Sequence, residues 1–236
     1  MSALLAIKGL EAFYGAGQVL HGVTLDVAKG EQIALIGRNG MGKTTFLRSI
    51  MGLVSDRRGE ILFAGTDVCR IKAETIARRG VAIVPEGRGI FGALSVVENL
   101  VMAARPGANG QSNWTLSRIY DLFPRLYERR TNGGHELSGG EQQMLSIGRA
   151  LMTNPELLLI DEATEGLAPL VAKDIWKTLD VVRAEGIASI VVDKDYRSLS
   201  RIADRMVIMS KGCLVFDDTP AELASRQDLL DRHLGV

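Results

Sequence analysis

Apolar and polar positions along the chain fall into two textures. Residues 4–36 mix alternation with β-branched residues in "ALLAIKGLEAFY", "VLHGVTLDV" and "EQIALI", with glycines between. That pattern predicts strands. "GKTTFLRSIMGL" has helical spacing, and Gly59 is expected to start a strand, "EILFAG". "KAETIARRG" reads as a short helix stopped by Gly80, and "VAIVP" as a buried strand closed by Pro85. From about residue 90 to 155 the signals are helical, from "SVVENLVMAAR" to "GEQQMLSIGRALM", interrupted by the turn-rich "PGANGQSN". Strands and helices then alternate: "ELLLID", "LVAKDIWKTLDVVRAEG", "ASIVVD", "YRSLSRIAD", "RMVIMS", "CLVFDD" and two short terminal helices. Alternation of this kind implies an α/β fold, a largely parallel sheet covered on both faces, here with a helical insertion. No internal repeat or long low-complexity tract occurs.

Composition narrows the classes. The length of 236 residues suits one large domain or a domain with an insertion. Lys plus Arg and Asp plus Glu both number 28, so the net charge is zero. That argues against a nucleic-acid binder working through bulk positive charge. The two cysteines, Cys69 and Cys213, lie far apart without a CxxC partner, which disfavours a disulfide scaffold or zinc site and fits a reducing cytoplasm. The start "MSALLAIKGLEAFYG" lacks a basic n-region and a long apolar core, so no signal peptide is expected. No apolar run is long enough to span a membrane, though docking onto proteins that do remains open.

The candidate chemistry begins at "GRNGMGKTT", residues 37–45. Gly37, Gly42, Lys43 and Thr44 satisfy G-x-x-x-x-G-K-[ST], with a predicted strand before and a helix after. Phosphates must lie against backbone N–H groups, and a Cβ would block that approach. The following helix adds its partial positive charge. Lys43 can reach the β- and γ-phosphates, and Thr44 can ligate Mg²⁺. The competing reading is a glycine-rich turn that matches by chance. Asp161 follows the apolar run Leu157–Ile160, at the carboxyl end of a strand, where α/β sheets place ligands. It would hold Mg²⁺ through water, and Glu162 would polarise the attacking water; the alternative is an ordinary acidic turn.

"LSGGEQQ", residues 137–143, is the third signal. Ser138 and Glu141 fit a capping box. Capping does not explain two glycines at a helix start, where they weaken it. A serine and two glycines there suggest a second anion site, of use if two chains face head to tail and each closes the other's glycine loop.

With these residues the chain resembles the nucleotide-binding subunit of an ABC transporter over essentially its whole length. The resemblance implies a P-loop NTPase ABC ATPase core spanning residues 1–236 as a single domain. An N-terminal antiparallel β subdomain and a helical subdomain at about 90–155 would belong to it. It implies ATP and Mg²⁺ as cofactors. Gly37, Arg38, Asn39, Gly40, Gly42, Lys43, Thr44 and Thr45 form Walker A; Thr44, Glu86 and Asp161 serve the metal; Glu162 is the catalytic carboxylate. Tyr14 fits the aromatic that stacks on adenine, with Phe13 competing. Leu137, Ser138, Gly139, Gly140, Glu141 and Gln142 form the signature acting on a partner's nucleotide.

"GRNGMGKTTFLRSIMGL", "VPEGRGIF" and "EGLAPL" narrow the resemblance to importers of branched-chain or hydrophobic amino acids, most like their second, shorter ATPase. In that group a glutamate commonly replaces the superfamily's glutamine, here Glu86. The implied partners are a second ABC ATPase subunit or another copy of this chain, two membrane permeases and, indirectly, a periplasmic binding protein. The implied place is the cytoplasmic face of the inner membrane. Alternatives are a soluble non-transport ABC ATPase and a weakly hydrolysing regulatory subunit.

Departures from the family pattern follow. After "SIVV" the run is Asp193, Lys194, Asp195, so Lys194 stands where the family has a switch histidine. It could contact the γ-phosphate as a catalytic cation, or pair with Asp193 or Asp195. Ala168 replaces the D-loop aspartate of many relatives. Phe91 is either a docking residue for the membrane subunit or ordinary core. His21, His135 and His233 share no ligand spacing and read as structural or surface groups.

Overall fold

The computed structural model describes residues 3–234. β1 (Leu5–Tyr14) and β2 (Gly17–Val27) form an antiparallel hairpin, and β3 (Gln32–Ile36) runs into α1 (Lys43–Ile50). β4 (Asp56–Phe63) and β5 (Thr66–Asp67) follow; β4 pairs antiparallel with β1, completing a four-stranded sheet of order β2-β1-β4-β5. Gly59 does not start the strand: β4 begins at Asp56 and Gly59 lies inside it, at φ +103. The register with β1 shifts there, between Lys8 and Glu11. A Cβ on Gly59 would lie 2.5 Å from the Gly9 carbonyl oxygen, so glycine permits a bulge rather than an opening turn.

α2 (Ala73–Arg78) leads to β6 (Val81–Val84), the last strand before the helical stretch. That stretch contains α3 (Val96–Val101), α4 (Leu116–Leu122), α5 (Pro124–Glu128), a 3-10 turn at 134–136 and α6 (Gly139–Leu151). The sequence predicted a longer first helix. α3 is only six residues, capped by reciprocal Ser95 and Glu98 bonds, and the chain turns at Met102. Buried Asn154 takes over the backbone beyond. Its Nδ2 donates to the Arg105 carbonyl at 2.9 Å, and its Oδ1 accepts from the Trp114 N–H at 2.8 Å. A side chain that satisfies these groups removes the need for helix there.

The remaining elements are β7 (Leu157–Asp161), α7 (Pro169–Ala184), β8 (Ala188–Val192), α8 (Tyr196–Ile202), β9 (Arg205–Ser210), β10 (Cys213–Asp218), α9 (Pro220–Ser225) and α10 (Gln227–His233). The second sheet has the order β10-β9-β3-β8-β7-β6 and is parallel except for β10. Every residue of β3, β7 and β8 is buried, as both-face coverage requires. Alternate residues serve opposite cores. Ile33, Leu35, Leu157, Leu159 and Ile190 meet Phe46, Leu47 and Ile50 of α1 and Leu10 and Ile61 of the antiparallel sheet. Ala34, Ile36, Leu158, Ile160 and Val191 meet Leu145, Ile175, Leu179 and Leu199 of α6–α8.

The β9–β10 turn joins the two sheets. Gly212 donates its N–H to the Met41 carbonyl at 3.0 Å, and its carbonyl accepts from the His21 N–H at 3.0 Å. A Cβ at Gly212 would run into the Val19 carbonyl.

Candidate functional site

β3 ends at Ile36, and the chain leaves the sheet through Gly37, at φ +145, where a Cβ would meet the Met209 carbonyl. Gly40 (φ +76) and Gly42 (φ +104) continue in conformations other residues rarely adopt, and Gly42 N-caps α1. Asn39, Gly40, Gly42, Lys43, Thr44 and Thr45 wall a cavity of about 360 Å³, opposite Glu86 and Glu162. Lys43 is buried, with Nζ donating to the Gly37 carbonyl at 2.7 Å and the Arg38 carbonyl at 2.9 Å. Burial lowers its pKa; Asp161 opposes that effect and Lys194 adds to it. The Arg38 side chain turns instead towards α10, 3.5 Å from the Asp231 carbonyl.

Asp161 closes β7 with 2% of its surface exposed. Burial raises its carboxyl pKa, Glu86 adds to the rise, and a Thr44 hydrogen bond, Lys43 and Arg48 oppose it. Its Oδ1 has no hydrogen-bond partner, nor has Oε2 of Glu162. Glu162 sits at φ +56, a strained conformation for a residue with a side chain. Two buried carboxylate oxygens without partners, in residues that line one cavity with Thr44, suit a hard cation and a water. Glu86, Glu162 and Glu165 offer carboxylate oxygens within 4.8 Å of one another. The donor set is oxygen throughout and fits Mg²⁺. Thr44, Glu86 and Glu162 also line a second cavity of about 530 Å³, shared with Arg88, Gln143, Asp161 and Glu165.

Glu165 was missed in the sequence, and it changes the reading of Lys194. The Lys194 ammonium hydrogen-bonds the Glu165 carboxylate and lies 3.9 Å from Oε1 of Glu162. It pairs with neither neighbouring aspartate. Asp193 accepts from the Thr164 N–H at 2.7 Å, the Thr164 hydroxyl at 2.8 Å and the Asp195 N–H at 2.9 Å. Asp195 caps α8 through the Ser198 N–H.

Tyr14 is exposed at the end of β1, while the Phe13 ring carries the Arg58 guanidinium at 4.6 Å. Neither aromatic lines the loop cavity. Phe91 is not core: it is 47% exposed, with Arg149 4.7 Å over its ring. His135 is structural, its Nδ1 2.7 Å from the Gly92 carbonyl.

Leu137 to Gln142 of the signature line neither cavity, while the next residue, Gln143, lines the larger one. Leu137 is buried, and Ser138 and Glu141 cap α6 reciprocally as expected. The glycines have a reason inside the chain that the sequence reading did not supply. A Cβ on Gly140 would lie 2.5 Å from Val171 Cγ1 on α7, and one on Gly139 would lie 2.8 Å from the Arg88 guanidinium. Arg88 in turn donates to Gln142 Oε1 at 2.9 Å. Arg88 belongs to a left-handed run, Gly87, Arg88, Gly89, at φ +74, +69 and +58, so the loop after β6 is tied to the first turn of α6.

A family model described as ABC transporter matches residues 20–165. The chain is 38% identical over 232 residues to BraG, the high-affinity branched-chain amino acid transport ATP-binding protein of Pseudomonas aeruginosa, covering 98% of this chain and 100% of that one. It is 31% identical over 235 residues to LptB, the lipopolysaccharide export system ATP-binding protein of Escherichia coli, covering 99% and 98%. A solved ATP binding subunit of an ABC transporter shares 32% identity at a TM-score of 0.82, covering 96% of this chain and 94% of that one. No helix among the described residues is long and apolar enough to cross a membrane. With these matches along its length and the α/β cassette fold, the chain belongs to the ABC transporter family, as a nucleotide-binding ATPase subunit of a transporter.

Proposed function

We propose that this chain hydrolyses ATP to drive import of branched-chain or related amino acids through membrane permease partners. The observation that carries the site is convergence: Lys43, Thr44 and the loop glycines share a cavity with Glu162, next to buried Asp161. Loop amides and Lys43 hold the triphosphate, Tyr14 stacks on the adenine, and Glu162 orients water in line with the terminal phosphate. Thr44, Asp161 and Glu86 would hold Mg²⁺, which neutralises charge developing on the phosphates. Lys194 adds a cation towards the γ-phosphate.

The Ser138 end of the signature turn is exposed and apart from both cavities at the loop, which supports a head-to-tail pair. Ser138 and Gly140 of one subunit would then close the nucleotide of a second ABC ATPase, or of another copy. ATP favours the closed pair and hydrolysis the open one, so two permeases bound to the pair are moved by differential binding. A periplasmic binding protein would deliver cargo, and the ATPase would work at the cytoplasmic face of the inner membrane. The amino-acid cargo rests on the full-length similarity to BraG. A second reading, a subunit that binds ATP and turns it over slowly, is favoured by the ion pairs that engage Lys194.

Purification of the tagged chain from gently solubilised native membranes tests the first reading. Two permeases and a second ATPase should co-purify, and binding of the linked binding protein to branched-chain amino acids gives the cargo. Only soluble partners would overturn the importer assignment.

A further inference from the structure

The cavity beside Asp161 is crowded with negative charge. Glu86, Asp161, Glu162 and Glu165 outnumber Arg48 and Arg88 along it, and a triphosphate would add more. Lys194, outside that lining, is a further cation that reaches two of these carboxylates. It lies with Gly37, Arg38 and Asn39 around a separate cavity behind the phosphate loop, and its ammonium points to Glu165 and Glu162. Lys194 thus borders the first residues of the loop and contacts both glutamates, one of which, Glu162, lines the loop cavity.

Among the described residues Glu165 makes no other hydrogen bond or ion pair, though it stands in the carboxylate cluster with Glu86 and Glu162. Its side chain is 47% exposed, as Lys194 is at 52%. Burial does not demand the pair, and an exposed ion pair contributes little to stability. Such a bond yields readily to a more highly charged group.

We infer that Glu165 is a positioning residue that competes with the terminal phosphate of ATP for the Lys194 ammonium. The inference rests on the reading that the loop cavity binds ATP. Without a terminal phosphate, Glu165 holds Lys194 beside Glu162. With ATP bound, Lys194 transfers from Glu165 to the γ-phosphate. After hydrolysis and phosphate release it returns. ADP has no group at that place and leaves the pair intact. Glu165 thus sets how strongly the site prefers ATP to ADP, at the cost of some ATP affinity.

The test is equilibrium binding of a non-hydrolysable ATP analogue and of ADP, each with Mg²⁺, to the full chain. Glu165→Gln, Lys194→Met and the double variant are compared with the unsubstituted protein. Glu165→Gln should tighten the ATP analogue by ~1.5- to 5-fold, the weight of one exposed ion pair, and leave ADP unchanged. Lys194→Met should weaken the analogue, and adding Glu165→Gln to it should change nothing further. The same split should appear in turnover as a lower KM in Glu165→Gln.

Three results would overturn the inference. Equal tightening of ADP, or tightening that persists without Lys194, would make Glu165 a diffuse repulsive charge. Weakened binding of both nucleotides would make it a metal ligand. An unchanged analogue affinity in Lys194→Met would remove Lys194 from the phosphate. Failure of the unsubstituted chain to bind either nucleotide would instead reject the ATP-site reading itself.

Discussion

The phosphate loop and the signature turn are both glycine-rich starts of helices, yet they are built for different surroundings. At the loop, Gly40 has positive φ and nothing near a would-be Cβ, so its backbone faces open space that phosphates can fill. At the signature, Gly139 and Gly140 are pressed against Arg88 and Val171. Gly37 and Gly42 of the loop are themselves pressed against Met209 and Leu20, and Gly40 between them supplies the open backbone. The signature glycines let α6 approach its neighbours, leaving only the Ser138 end facing outwards. Glycine at a helix start therefore marks close approach, and the neighbour decides whether to a ligand or to the chain itself.

Changes at the loop side should alter chemistry within the chain, and changes at the signature glycines should alter stability in addition to the proposed closure on a partner's nucleotide. The largest effect is expected from Glu162→Gln. ATP turnover should fall by about two to four orders of magnitude, while ATP binding is kept and an ATP-bound dimer accumulates in size-exclusion chromatography. Lys43→Ala comes next. Loss of a charged hydrogen-bond donor of ~1.5–3 kcal/mol weakens nucleotide affinity by ~10- to 150-fold in calorimetric titration. Gly140→Ala should leave the loop untouched but lower stability by ~1–3 kcal/mol through overpacking, read as a drop in thermal midpoint. Adding Val171→Ala should recover part of that loss; no recovery would mean the glycine serves something other than α7. Tyr14→Ala should be smallest, ~0.5–1.5 kcal/mol of lost stacking, seen as weaker binding of ATP with inorganic triphosphate unaffected.

The loop and the buried strands were legible because their signals are local. The apolar runs of β3, β7 and β8 and the Gly-Lys-Thr spacing sit in contiguous residues. The capping box at Ser138 was legible for the same reason. What was not legible depends on distant contacts. Lys194 and Glu165 are 29 positions apart and meet because β7 and β8 are parallel neighbours. Nearby aspartates were the obvious partners, but backbone and hydroxyl donors had already engaged Asp193. Gly59 marked a bulge opposite Gly9, not a strand start. The short α3 reflects Asn154, which lies beyond the whole helical stretch and holds the backbone at Arg105 and Trp114.

Gly212 carries a further consequence, in the language of hydrogen exchange. Its N–H is held by Met41 in the phosphate loop, and its carbonyl holds the His21 N–H in the antiparallel sheet. Exchange at either amide requires that turn to open, so both belong to one opening unit. A nucleotide that fastens the loop should therefore slow deuterium uptake at His21, on a strand of the other sheet, without touching it.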